Sequence, residues 1–402
     1  MTSSETAAAP DTSASPPTAD PDRAADARVR EALALRAWAL PFLLGGAAPE
    51  PPPLDVSPGA WALFLAAERI ALPLQKRLEA AGYLMVLAPA AVDVLRERGM
   101  RELQRVLSAR AQLRRLGGLL RERGWRGVAL KGGAAALAGE PVDLADVDVL
   151  VPREHADAVS RELAARAGAA PAGSGSITHL TPLAAPDAIG VEVHFEAPYL
   201  EPGEAWEGLL PTADPALFVL APPRQLWLVL AHAADMHLDR RGSLRDLLLA
   251  RAALDASPPG GPAEVEARIG RHRCSAPLAA MLAMARGDAA AGDPFRAVAA
   301  LGYLLRARPV ERPLRFATSS ALALSAFALA AGGGEYGALW GRRAYGAVFG
   351  WEEGSGSFLR RFPPVARLGR AGWRAAHLAA VSPLALRLAR RARRLASGAE
   401  GG

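Results

Sequence analysis

Two short runs of strict alternation constrain the fold of this chain more than any other feature. Asp146–Val151 reads DVDVLV, and Val191–Glu196 reads VEVHFE. On a strand, residues i and i+2 face the same way. Asp146 and Asp148 therefore project together, and Val147, Val149 and Val151 form the opposite, apolar face. The second run repeats the device, with Glu192, His194 and Glu196 on one side and Val191, Val193 and Phe195 on the other. Both runs predict half-buried strands in one sheet. If they lie side by side, Asp146, Asp148 and Glu192 converge. Carboxylates that close repel one another unless a cation sits among them. Hard oxygen donors of this kind suit Mg²⁺, which binds substrate phosphates and keeps several waters, and three such donors can hold two ions.

The flanks of these runs predict a small α/β unit. Arg126–Leu130 is a strand candidate, and Lys131–Gly132–Gly133 then turns into an Ala-rich helix over Ala134–Ala138. Arg153–Ala167 has helical spacing, and Ser176–Leu183 and Ala188–Phe195 are strand candidates around a turn at Pro186–Asp187. A double glycine ahead of a helix allows close backbone approach and offers N–H groups to a phosphate. Of the 47 basic residues only Lys76 and Lys131 are lysines, and the compact ammonium of Lys131 stands beside that turn. Lys131 is placed either to meet a phosphate or to pair with an acid. His194 is placed either to support a metal ligand or to make a structural hydrogen bond.

Helical periodicity dominates elsewhere. It predicts helices over Arg30–Leu44, Pro58–Ala81, Ala90–Glu97 and Met100–Arg123 before the α/β unit. After it come Pro223–Met236, Ser243–Leu254, Ala263–Arg271, Ala276–Arg286 and Pro294–Arg306. The expected organisation is a disordered tail over 1–28, an N-terminal helical region over 29–124, the α/β core over 125–198, a C-terminal helical region over 199–356 and a basic helical tail over 357–402. The fold class is α+β, a small mixed sheet flanked by helices on both sides in sequence.

The first 28 residues show no secretory leader, with neither a basic start nor an apolar run. Phe316–Ala331 is the longest apolar stretch, too short and too rich in hydroxyls for a membrane span. The lone Cys274 makes no internal disulfide, which favours a reducing, cytoplasmic setting. From Ser357 onward ten Arg and one Glu give +9, so the net charge of +6 leaves −3 for the rest. The body therefore lacks the bulk charge of a nucleic-acid groove. Arg387, Arg390, Arg391, Arg393 and Arg394, interleaved with Leu384, Leu386 and Leu388, predict a basic helix that is either solvated or capable of weak contact with an anionic membrane. His232, Asp235 and His237 do not share one helical face, so ordinary packing or a substrate-side position is expected for them. No CxxC, G-x-S-x-G or Walker lysine motif occurs.

LKGG, then DVDVLV, then VEVHFE resembles the polymerase-β-like nucleotidyltransferase superfamily. More narrowly it is similar to a bacterial family of uncharacterised nucleotidyltransferases with a Leu-Lys-Gly turn, an Asp-x-Asp strand and a Glu-x-His strand. The resemblance spans roughly Val29 to Leu254. It implies that Asp146 and Asp148 bind metal, that Glu192 is the third acid, and that Gly132 and Gly133, with Lys131 beside them, contact the phosphates of an NTP. It thereby implies Mg²⁺-dependent transfer of a nucleoside monophosphate from NTP to a hydroxyl or phosphate of an acceptor, and the lack of a basic groove favours a small molecule or peptide in that place. A catalytically inactive binding protein on the same scaffold is the alternative. Two features depart from the family pattern. Gly-Glu-Pro-Val-Asp-Leu-Ala precedes Asp146 where an aromatic and an arginine are usual, and His232, His237, Arg245 and Asp246 only approximate the downstream helical pattern.

Overall fold

The computed structural model describes residues 21–45, 51–167, 170–171, 178–184, 189–201, 203–236, 240–272, 274–288, 292–307 and 386–398. Four helices come first: α1 (Pro21–Leu44), α2 (Pro58–Glu68), α3 (Ala71–Ala80) and α4 (Pro89–Arg123). The central unit follows as β1 (Gly127–Ala129), α5 (Lys131–Ala138), β2 (Asp146–Leu150), α6 (Arg153–Ala167), β3 (Ala170–Pro171), β4 (Leu183–Ala184), β5 (Gly190–His194), β6 (Leu210–Pro211) and β7 (Leu217–Val219). Helices α7 (Pro222–Asp235), α8 (Leu244–Asp255), α9 (Gly261–Arg271), α10 (Ser275–Arg286) and α11 (Arg296–Ala307) come next. A last helix, α12, spans 386–397. The architecture is α+β, as the sequence predicts.

All seven strands form one mixed sheet in the order β3-β4-β5-β2-β1-β7-β6. β2 runs parallel to β5, with Val147 opposite Val191, Asp148 opposite Glu192 and Val149 opposite Val193. β1 is antiparallel to β2 and parallel to β7. The valine face packs on Leu113, Leu116 and Leu120 of α4 and on Val159 and Leu163 of α6. Burying each of these valines contributes roughly 1.5–3 kcal/mol, which holds the acidic face outward. The sheet reaches β6 and β7, so the expected core of 125–198 stops short. Those strands are two and three residues long, too brief to show a period of two.

Three helical segments and one strand candidate differ from expectation. α1 begins at Pro21, inside the segment expected to be disordered, because Ala25 and Val29 are buried in the main core. Pro58–Ala81 is two helices, divided where Arg69 takes a left-handed conformation (φ 58°) and caps α2 through its N–H to Leu65. Ala90–Glu97 and Met100–Arg123 are one helix. Gly99 does not break it: a Cβ there would meet Gln75 Oε1 at 2.8 Å, so the glycine admits α3. Of Ser176–Leu183, the described residues 178–183 contribute the start of β4 and a bridge from His179 to His194. Phe316–Ala331, His237, Leu384 and the turn at Pro186–Asp187 lie outside the described residues.

One large apolar cluster unites α1, α2 and α3 with α7, α8, α10, α11 and α12. The helical segments before and after the sheet therefore share a core. Within it Arg36 donates to Glu68 (2.7 Å), Asp293 (2.6 Å) and the Gly242 carbonyl (2.7 Å), and Tyr303 donates to Glu68 (2.6 Å). α12 spends Leu388, Ala389, Ala392 and Leu395 on this core, and Arg391 donates to Asp26 of α1 at 2.8 Å. Among the described residues no helix is long and apolar enough to cross a membrane.

A second buried ionic group leads to the site. Asp143, wholly buried, accepts from Arg69 of the α2–α3 junction (2.6 Å) and from Arg105 of α4 (2.5 and 2.9 Å), while its carbonyl accepts from Arg245 Nε of α8 (2.6 Å). Glu102, one turn before Arg105, accepts the Leu72 N–H at the start of α3 (2.8 Å). Burial, reinforced by Asp143, raises the Glu102 pKa from its ordinary 4.5 to about 7. Between those values the folded chain holds a proton that the unfolded chain has released, so the contribution of Glu102 to stability falls as pH rises from 4.5 to 7 and is constant above. The expected loss is about 3 kcal/mol. Denaturant titrations from pH 4.5 to 8 should show this slope in the native chain and its disappearance in Glu102→Gln; equal slopes in both would refute it.

Candidate active site

The acidic face of β2 and β5 opens into a cleft of about 410 Å³. Asp146, Asp148, Glu192 and His194 line it together with Lys131 and Gly132. Parity brings Asp146 and Asp148 to this face, and the parallel register sets Glu192 beside Asp148. The three predicted acids are thus brought together. His194, two residues further along β5, places Nε2 2.9 Å from Asp148 Oδ1 and 3.6 Å from Glu192 Oε2. It bridges the two carboxylates.

The electrostatics are those of a crowded acidic site. Burial raises the Asp146 pKa, and the charges of Asp148 and Glu192 raise it further. Burial would also raise Asp148, but the Lys131 ammonium and the His194 hydrogen bond outweigh it and hold that carboxyl far below the usual range. His194 is pushed down by burial, yet its bonds to Asp148 and Glu192 prevail and raise it. Asp148, Glu192 and His194 offer ligand atoms that all lie within 4.8 Å of one another. With Asp146 on the same wall, this donor set fits a metal ion: mutually repelling carboxylates are stabilised by added positive charge.

Lys131 supplies part of that charge itself, with Nζ 2.8 Å from Asp148 Oδ1. Of its two predicted placements, pairing with an acid is the one present. Its backbone is left-handed (φ 46°), a conformation costly for a residue with a Cβ. Gln225 of α7 pins it by donating to the Lys131 carbonyl (2.9 Å).

The two glycines of the turn divide their work. A Cβ on Gly132 would collide with Leu144 Cδ2, and Gly132 borders the cleft. Gly133 faces the sheet instead: its Cβ would lie 3.4 Å from the Asp148 carbonyl oxygen, and its N–H is spent on Leu130 (2.8 Å). Gly133 thus lets α5 pack on β2.

The far wall comes from α7, α8 and the segment after β5. Pro198, Tyr199, Val229, His232, Met236 and Leu249 form its less polar part, and Arg240, Arg245 and Asp246 its charged part. His232 thus borders the cleft. Asp235 accepts from the Tyr199 hydroxyl at 3.2 Å. Tyr199 is left-handed like Lys131 (φ 67°), and its carbonyl accepts from the Trp227 indole at 2.8 Å. Tyr199 carries no sequence signal. The role of Asp143 was equally hidden in the loop before Asp146, because the arginines that hold it are distant in sequence.

A family model described as uncharacterised nucleotidyltransferase matches residues 59–287, more than half of the chain, and the chain belongs to that family. No curated protein and no solved structure matches it. Membership supports transferase chemistry in general.

The contrast between the two glycines is measurable. Leu144 is fully buried and has no room to yield, so Gly132→Ala should lower unfolding free energy by about 1–3 kcal/mol. Gly133→Ala should cost less than about 1 kcal/mol, since its Cβ meets ordinary contacts and alanine favours the helix. Denaturant unfolding of both variants decides, and a reversed order would overturn the assignment of their roles.

Proposed function

We propose that this chain is a Mg²⁺-dependent nucleotidyltransferase that moves a nucleoside monophosphate from an NTP to a hydroxyl or phosphate of a small-molecule or peptide acceptor. The observation that carries the reading is the convergence of Asp146, Asp148 and Glu192, from two parallel neighbouring strands, in one cleft of a chain from this family.

In the reaction with a hydroxyl acceptor, the acceptor oxygen forms a bond to the α-phosphorus and the bond from that phosphorus to the α–β bridging oxygen breaks. Pyrophosphate leaves with the bridging electrons, and the hydroxyl proton passes to a carboxylate. Glu192 suits that base role, being the more exposed of the facing pair, with 23 % of its side chain accessible against 6 % for Asp148. Asp146, Asp148 and Glu192 would hold Mg²⁺, which when bound supplies Lewis-acid charge to the phosphate oxygens. His194 keeps Asp148 and Glu192 oriented. Gly132 gives the phosphates close access to the backbone, and Lys131 offers them an ammonium.

The less polar wall around Tyr199 and Leu249 fits a small molecule or a peptide side chain better than a long nucleic acid, in keeping with the net charge of −3 outside the basic tail. A cytoplasmic setting accords with the lone Cys274, which is buried. The apolar residues of α12 are already spent on the core, so weak contact with an anionic membrane through this helix would rest on the exposed Arg387, Arg390, Arg393 and Arg394.

Calorimetric titration of Mg²⁺ and ATP into the native chain and into the double variant Asp146→Ala/Asp148→Ala tests the reading. Metal-dependent ATP binding is expected in the first and its loss, by more than about 100-fold, in the second. Equal or absent binding in both would leave the non-catalytic scaffold as the better description.

A further inference from the structure

The wall facing the acids holds a buried cation, Arg245, to which the proposed transfer assigns no role. Arg245 belongs to the first turn of α8 and is 8 % exposed. Two of its three nitrogens are fixed by protein. Nε donates to the Asp143 carbonyl (2.6 Å), and Nη1 pairs with Asp246 Oδ1 (3.0 Å). The third, Nη2, points to the glycine turn, 3.6 Å from the position a Cβ on Gly132 would take. Arg245, Gly132, Lys131 and Arg240 all line the same cleft.

The charge around this guanidinium is incompletely matched. Burial lowers its pKa; Asp246 offsets part of that, and the neighbouring cations Arg69 and Arg240 lower it further. A cation in such surroundings gains from an added anion. Its orientation is already set, so little rotamer freedom remains to be lost on binding. A rigid guanidinium edge opening beside a glycine turn matches the non-bridging oxygens of a phosphate chain.

We propose that Arg245, with Lys131 and Arg240 beside it, forms the subsite for the tail of the polyphosphate, the phosphate groups beyond the one transferred. The assignment rests on the nucleotidyl-transfer reading, since it takes the acids to hold the reacting end of the nucleotide. Departing pyrophosphate would then leave against Arg245, whose charge offsets the negative charge building on the leaving group.

Calorimetry with three probes, each with Mg²⁺, tests this on the full chain: ATP, inorganic tripolyphosphate and AMP. Arg245→Gln is expected to weaken ATP and tripolyphosphate by about 10- to 100-fold, the loss of one or two charge-assisted hydrogen bonds, with AMP changed less than about twofold. Arg245→Lys keeps the charge, loses the fork and covers the case in which the glutamine variant does not fold. It should weaken tripolyphosphate at least about fivefold and again spare AMP. Unchanged tripolyphosphate binding in a folded variant, or equal losses for AMP and tripolyphosphate, would overturn the subsite. Failure of the transfer reading looks different: tripolyphosphate binding would still depend on Arg245, while ATP binding would ignore Asp146 and Asp148.

Discussion

Parallel pairing of β2 with β5 in a single register underlies the rest of the molecule. Side chains alternate with a period of two, so a slip of one residue would exchange the faces of β5 entirely. Glu192 would enter the apolar layer of α4 and α6, and Val191 and Val193 would face the cleft. The valine contacts on one side therefore hold the acids in place on the other. A hydrophobic interface without chemistry of its own positions the groups that have it.

Burying so much charge has to be compensated, and four cations do it in different ways. Lys131 sits on Asp148 from a strained backbone. Arg69 and Arg105 close on Asp143, three residues before the first acid of β2, and tie the helices that precede the sheet to the strand that carries the acids. Arg245 reaches the same loop from the helices that follow. The described non-glycine residues with left-handed backbone are Arg69, Lys131 and Tyr199. Two line the cleft and the third grips Asp143, so local strain is concentrated where the site is assembled, held by surrounding packing.

The sheet at the centre of the site was legible because Asp146–Val151 and Val191–Glu196 alternate over enough residues to declare both strand and face. Arg153–Ala167 was legible as a helix for the same kind of reason. What stayed hidden depends on partners far away in the chain. Gly99 looks like a helix break until Gln75 of α3 stands against it. β6 and β7 are too short to carry a pattern. Asp143 looked like a departure from a family motif, yet it is the most enclosed acid of the loop, because its partners come from residues 69, 105 and 245. Gly132 and Gly133 are adjacent and identical in type, and only the position of Leu144 separates the one beside the cleft from the one against the sheet.

The pairing of α12 with α1 bears on how the chain is made. Of the described helices α1 leaves the ribosome first and α12 last, and Asp22 and Asp26 meet Arg391 only once α12 has emerged. Until then the part of α1 that α12 covers is exposed to water and to other nascent chains. Co-translational folding can complete the sheet and its cleft early, but sealing the helical core waits for α12.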